Sequence, residues 1–411
     1  MKKNKNNKIK RLILMCCLSS ILLVASTYAW FIGMKNVTVS QFDIKIAATE
    51  GLELSVDGKT WYNDSSTPLD AKNATAYVGN TNTWAEGGLI PMSTVGDTDA
   101  SKSEMILFEK ASLTATKGGY RLLASRVNYP ATGADDLKEG KGYVAFDLFI
   151  RNISGEEYYQ TNNVANEEAI YLTNDSKVTI SKNGGIAGTG IENSVRVGFV
   201  QIGRVEQQTA TEDQITSIKC ADVKDDEGNL TTTSICRTAT IWEPNNTAHV
   251  QNAINWYEEA CQKRIYSTTV DDIAYDLETK CKTVVNGTEN NTYAIANELE
   301  IEDYVDVYDG ADYNYLSNNT VDSEVYYAGE DKSDYKLVDM DYFTDTENLE
   351  TGVNRPEIMT LAPNSITKVR VYVWIEGQDV DNYDFSSLGG QVSVNFGFTK
   401  ERFEQSEIIT E

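Results

Sequence analysis

Alternation of apolar and polar residues with a period of two runs through most of the chain. Phe42, Ile44 and Ile46 alternate with Gln41, Asp43 and Lys45, the pattern of a half-buried strand. Val37 and Val39 sit on the opposite parity, so a bulge or a break into two short strands is expected near Ser40. GLELSVDGKTW (51–61) follows, with Asp57-Gly58 as a hairpin-type turn. Val144, Phe146, Leu148 and Ile150 share one face of YVAFDLFIRN, and Val195, Val197 and Phe199 one face of SVRVGFVQIG. The clearest strands come last: Val369, Val371, Val373 and Ile375 alternate within TKVRVYVWIEG, and Val392, Val394, Phe396 and Phe398 within QVSVNFGFTK. Many short alternating strands separated by turn residues predict a mainly β fold, an antiparallel, jelly-roll-like β-sandwich.

Between Gly203 and Arg355 the pattern changes. The strands on either side share one style, so a single β domain over 35–203 and 356–400 is expected, interrupted by an α+β insertion over 204–355. Within the insertion, Val250, Ala253, Ile254, Tyr257 and Cys261 recur at helical spacing and predict a helix over 247–263. Residues 303–342 hold eight tyrosines and eleven acids against Lys332 and Lys336, an acidic face suited to solvent, to basic partners, to Ca²⁺ or to carbohydrate.

The amino terminus departs from both patterns. Lys2, Lys3, Lys5, Lys8, Lys10 and Arg11 form a basic leader over 1–11, followed by 23 uncharged residues from Leu12 to Met34. The positive-inside rule leaves the leader in the cytoplasm and carries the body outside. The length of 12–34 suits a membrane span, yet the dense apolar core ends at Ala25, as in a signal peptide. Thr27 and Ala29 supply small residues for a cut between Ala29 and Trp30. Met15 stands where a lipobox needs a small residue before Cys16, which argues against lipidation.

The net charge is −26, and loss of the six positive charges of the leader takes it to −32. Such a body is repelled by nucleic acid and by anionic lipid. Cys220, Cys236, Cys261 and Cys281 remain in the body and read as two disulfides in an exported chain, paired by nearness as Cys220–Cys236 and Cys261–Cys281. Free thiols or a zinc site are the alternatives, and no pair has the close spacing that zinc sites favour.

Candidate chemistry is sparse. His249 is the one histidine of the chain, which argues against histidine-dependent triads and excludes metal centres that need several. Glu243 is near it in sequence and would share a metal or acid–base role with it, while Pro244 and the asparagines more simply make a turn and cap ahead of the helix. Glu376, Asp379, Asp381 and Asp384, in the link between the last two strands, offer oxygen ligands suited to Ca²⁺ or a solvated turn, although an EF-hand pattern is missing. There is no P-loop and no dinucleotide fingerprint, and no other cofactor is implied.

STYAWF after a basic apolar leader, together with GLELSVDGKTW, FDLFIRN, IWEPN and VRVYVWIEGQD, resembles Gram-positive exported surface proteins with a SipW-type signal peptide, the TasA and camelysin family of biofilm matrix fibres. The resemblance covers the leader and the β framework but not the insertion. It implies a jelly-roll domain, secretion to the cell surface, and fibres in which a freed amino-terminal segment adds as a strand to the next subunit; here the segment from Trp30 to about Ala48 either does so or folds back as the first strand of its own sheet. The expected function is that of a non-enzymatic structural or adhesive protein, self-associating or bound to other matrix proteins. A glycan- or calcium-binding module and an extracellular hydrolase are the alternatives. Amino-terminal sequencing of the chain recovered from the cell surface is expected to start at Trp30; recovery of residues 1–29 would establish a retained membrane anchor instead.

Overall fold

The computed structural model describes residues 41–256 apart from 49–50, 64–67, 73–75, 86–87, 95, 97, 117–118, 127–141, 155–156 and 183, then 269–270 and 273–274, and finally 355–402 apart from 378, 384–385 and 387–389. Eight strands form its frame: β1 (Gln41–Ala48), β2 (Leu52–Ser55), β3 (Val144–Asn152), β4 (Glu168–Leu172), β5 (Lys177–Ile180), β6 (Val195–Glu206), β7 (Ser365–Glu376) and β8 (Gln391–Thr399). The fold is mainly β, as the alternation predicts.

Two sheets share one core. In the first, β7 lies between β3 and β6, antiparallel to both, with Val373 opposite Val144 on one side and Val197 on the other. β2 extends this sheet beyond β3. In the second, β8 is bordered by β4 and β5 along one edge and by β1 along the other. The short strand Met359–Leu361 pairs with β4, and Leu69–Asp70 with β1. The predicted inward residues of β3, β6, β7 and β8 all meet in this core with Ile44, Ile46, Leu52, Leu54, Ile170 and Leu172. Phe199 of the first sheet stands edge-on to Phe396 and Phe398 of the second, with ring centroids 5.4 and 5.7 Å away.

β1 departs from the antiparallel pattern. It runs parallel to β8 over eight pairs, from Gln41 opposite Gln391 to Ala48 opposite Phe398. Gln41–Ala48 therefore pairs within the chain's own sheet, the fold-back arrangement among those expected for this stretch. The remainder of the expected donor segment, the cut at Ala29 and Trp30, and the break near Ser40 lie outside the described residues.

Among the described residues, the second face of β3, β6 and β7 is covered as well. Opposite the shared core, Tyr143, Ala145, Phe149, Val200, Ile202, Ile366, Tyr372 and Trp374 are covered by Met92, Met105, Leu107, Ile215 and Ile218. Part of this cover comes from the expected insertion. Leu230–Ser234 and Thr240–Trp242 pair with β6, so residues 230–242 extend the first sheet. Cys220 and Cys236 form the expected disulfide across the start of this stretch, with Cα atoms 5.4 Å apart. Cys261, Cys281 and the acidic tract 303–342 lie outside the described residues. The expected helix is seen over 251–256, and its continuation from 257 is not described. A short helix that the periodicity did not predict, Glu212–Thr216, is closed by a capping box between Thr211 and Gln214.

A bulge between Gln201 and Gly203 shifts the parity of β6. Val205 thereby joins Val200 and Ile202 on the outer face, and Arg204 turns to Glu167 at 2.5 Å. Gly203 permits this bend: a Cβ there would press on Ile218 Cγ2 at 2.9 Å and on the Thr233 carbonyl at 3.0 Å.

Phe199→Ala removes the ring that joins the two sheets and is expected to cost about 3–5 kcal/mol. Urea unfolding monitored by tryptophan fluorescence measures the loss; a change no larger than that of an exposed substitution would show that the sheets are not held through this contact.

Candidate functional site

The link between β7 and β8 carries the chain from one sheet to the other, and its acidic residues are buried. Glu376, Asp379 and Asp381 are each no more than 4% exposed, so the stretch is not the solvated turn that its composition suggests. Asp384 lies outside the described residues. Asp379 shapes the turn itself, since its Oδ1 accepts from the Asp381 backbone N–H at 2.8 Å.

Arg196, at the start of β6, is the cation of the cluster. Its Nε donates to Glu243 Oε1 at 2.6 Å and its Nη2 to Asp379 Oδ2 at 2.8 Å. Nη1 donates to the carbonyls of Asn193 and Val195 at 2.8 and 3.1 Å. Asp381 holds the next segment: its Oδ2 lies 2.6 Å from His249 Nδ1, and its Oδ1 accepts from the Val250 N–H at 2.9 Å. The turn of helix that begins there packs Ala253 and Ile254 on Val380 and Tyr383. Gly190, with φ +82°, passes so close that a Cβ would collide with Asp381 Oδ1. Asn245 ties the same corner to β5, its Nδ2 donating to the Val178 and Glu192 carbonyls at 3.1 and 3.0 Å.

The suggested pairing of Glu243 with His249 is thus indirect, running through Arg196, Asp379 and Asp381. Sequence reasoning nominated the carboxylates and the histidine but missed Arg196, which reads simply as the polar member of an alternating strand.

One ligand atom from each of His249, Asp379 and Asp381 falls within 4.8 Å of the others, a spacing that suits a metal ion. Each of the two carboxylates, however, already accepts a hydrogen bond on both oxygens, and Arg196 supplies positive charge where a cation would sit. Calcium takes six to eight oxygens, so it would have to displace both Arg196 and His249. The present arrangement is suited to holding protons and to fixing the crossover between sheets.

Burial pushes the Asp379 carboxyl up to about 6, with Asp381 adding to the rise and Arg196 opposing it. Burial alone would lower the His249 imidazole, but the hydrogen bond to Asp381 and the charges of Asp379 and Asp381 outweigh it and hold the ring above its ordinary value.

Two further charged clusters were not foreseen. On the outer face of the first sheet, Asp147 of β3 is 3.3 Å from Lys368 and 3.1 Å from Arg370 of β7, and it accepts from Tyr77 Oη at 2.5 Å. Burial works against this carboxylate, yet the two cations hold its pKa below the usual range. Between the sheets, Glu167 receives Arg204 at 2.5 Å, Arg237 at 2.7 Å and the Thr360 hydroxyl at 2.5 Å. Its pKa is likewise lowered, because these partners outweigh burial. No protein-family model, curated protein or solved structure matches the chain.

Arg196→Met leaves Glu243 and Asp379 buried without their cation and is expected to cost about 3–5 kcal/mol. Protonation relieves the stranded carboxylates, so the deficit in melting temperature should be larger at pH 8 than at pH 5. An equal deficit at both would place the loss in packing rather than in charge.

The wild-type pH profile has a predictable sign. His249 is raised above 6.5 on folding, so its contribution is complete below pH 6.5 and fades as pH rises through the folded value. Asp379, raised from 3.8 to about 6, acts in the same sense between those values. Asp147 and Glu167 are lowered and act oppositely, losing their contribution only in acid below their ordinary values of 3.8 and 4.5. His249→Asn should flatten the decline in melting temperature between pH 6 and 8; an unaltered slope would assign that decline to other groups.

Proposed function

We propose that the chain is an exported, non-enzymatic structural or adhesive protein of the cell surface, similar in role to the matrix proteins that its leader and β framework resemble. The observation that carries the reading is the use made of buried charge. Asp147, Glu167 and Arg196 each bind two oppositely charged side chains drawn from distant parts of the sequence. Groups held this way act as cross-links between strands and layers, which suits a rigid building block. The disulfide between Cys220 and Cys236 agrees with an oxidising compartment outside the cell, and the acidic composition with basic matrix partners rather than nucleic acid. Ion binding at the crossover is the second reading, suggested by the spacing of His249, Asp379 and Asp381, and it requires the ion to displace Arg196 from Asp379.

Immunogold labelling of intact cells and sedimentation of the purified chain test this reading. Labelling of the outer surface together with ordered assemblies is expected. Labelling confined to the interior, or a monomer that turns over a substrate, would overturn it, and a rise in melting temperature with millimolar Ca²⁺ would favour the second reading.

A further inference from the structure

The geometry points to a mechanical role for the parallel β1–β8 pair: it is a shear clamp through which the fold carries tension applied between its two ends. The chain enters β1 at Gln41, directly opposite Gln391, the first residue of β8. It leaves β8 at Thr399, beyond the far end of β1 at Ala48. The points of entry and exit are therefore separated along the strand direction by about 26 Å, at roughly 3.3 Å per residue. Tension on the two ends pulls β1 and β8 in opposite senses along their own axes. In that direction the bonds of a parallel ladder, which are evenly spaced, are strained together and have to fail together. An antiparallel first and last pair would place both ends on the same side, where the ladder opens one bond at a time under a much smaller force.

Three observations make this pair the element that resists. β8 is held along its other edge as well, by β5 from Val392 to Asn395 and by β4 at Phe398 and Thr399, so it does not move with β1. Among the described residues β1 is held on its outer edge over a short stretch, by pairing at Lys45 and Ile46 and by the Ala71 N–H donating to the Ile44 carbonyl at 3.1 Å, so slip occurs between β1 and β8. Ile44, Ile46, Val392, Val394, Phe396 and Phe398 all lie in the shared core, which keeps water from the inner side of the ladder while it is strained. The charged crossover and the disulfide lie behind the clamp in the chain and receive tension only after it yields. This inference stands apart from the export reading: a strong clamp in a chain found inside the cell would overturn the location alone, and a weak clamp at the cell surface would overturn the clamp alone.

Single-molecule force spectroscopy on the full chain tests it, with handles at the amino and carboxyl ends. A single cooperative rip is expected at a force several-fold higher than for the same chain pulled between its amino end and a ligation tag inserted between Gly390 and Gln391, where both attachments lie at one end of the pair. Equal forces in the two geometries would overturn the proposal. Should the tagged chain fail to fold, the end-to-end trace of the untagged chain decides alone: early release of β1 in small, low-force steps overturns the clamp, and one high-force rip sustains it.

Discussion

β7 has no solvent face, and most of the architecture follows from that constraint. A strand of twelve residues flanked by β3 and β6 and covered above and below cannot leave a charge unpaired at its centre. Lys368 and Arg370 nevertheless lie there, so Asp147 has to stand beside them on β3, with the Tyr77 hydroxyl added from the covering layer. The same requirement recurs at the ends of the sheet, where Arg196 needs Glu243 and Asp379, and at the bulge of β6, where Arg204 needs Glu167. Each solution joins residues that are remote in sequence, and together they fix how the layers lie on one another.

The core between the sheets could be read from the chain because a buried face leaves a period-2 trace, and Val144 to Ile150, Val369 to Ile375 and Val392 to Phe398 all fall where that trace puts them. The second face of the first sheet could not be read in the same way. Alternation states that two faces differ; it does not state that the more polar one is exposed. Tyr372 and Trp374, beside Lys368 and Arg370, were the available hint, since large aromatic groups on a supposedly wet face ask for a cover. The cover itself comes from Met92, Met105, Leu107 and residues 212–218, segments too short or irregular to show a period.

The crossover site was half legible for a related reason. Residue type alone brought forward Glu376, Asp379, Asp381 and His249. Their buried state and the guanidinium among them depend on contacts spanning 183 residues, from Arg196 to Asp379, and 132 residues, from His249 to Asp381. Such pairings are set by topology, which a single sequence does not contain. Composition was misleading in this respect: a run of acids and asparagine after a strand ordinarily signals a wet turn, and here it signals a corner closed by one arginine and one histidine.

The pairing of β1 with β8 also sets the order in which the chain can fold. Gln41 and Gln391 are 350 residues apart, so the second sheet lacks its central strand until nearly the whole described chain has been made. β7 arrives almost as late, although β3 and β6 both need it as a partner. Until then Ile44, Ile46 and the apolar faces of β3 and β6 are without their partners, a condition that favours slow folding and unwanted association. Were the chain exported as proposed, the same delay would be useful: the early strands have no native sheet to close into, so the polypeptide stays in a form that can still be threaded through a membrane until its last strands appear.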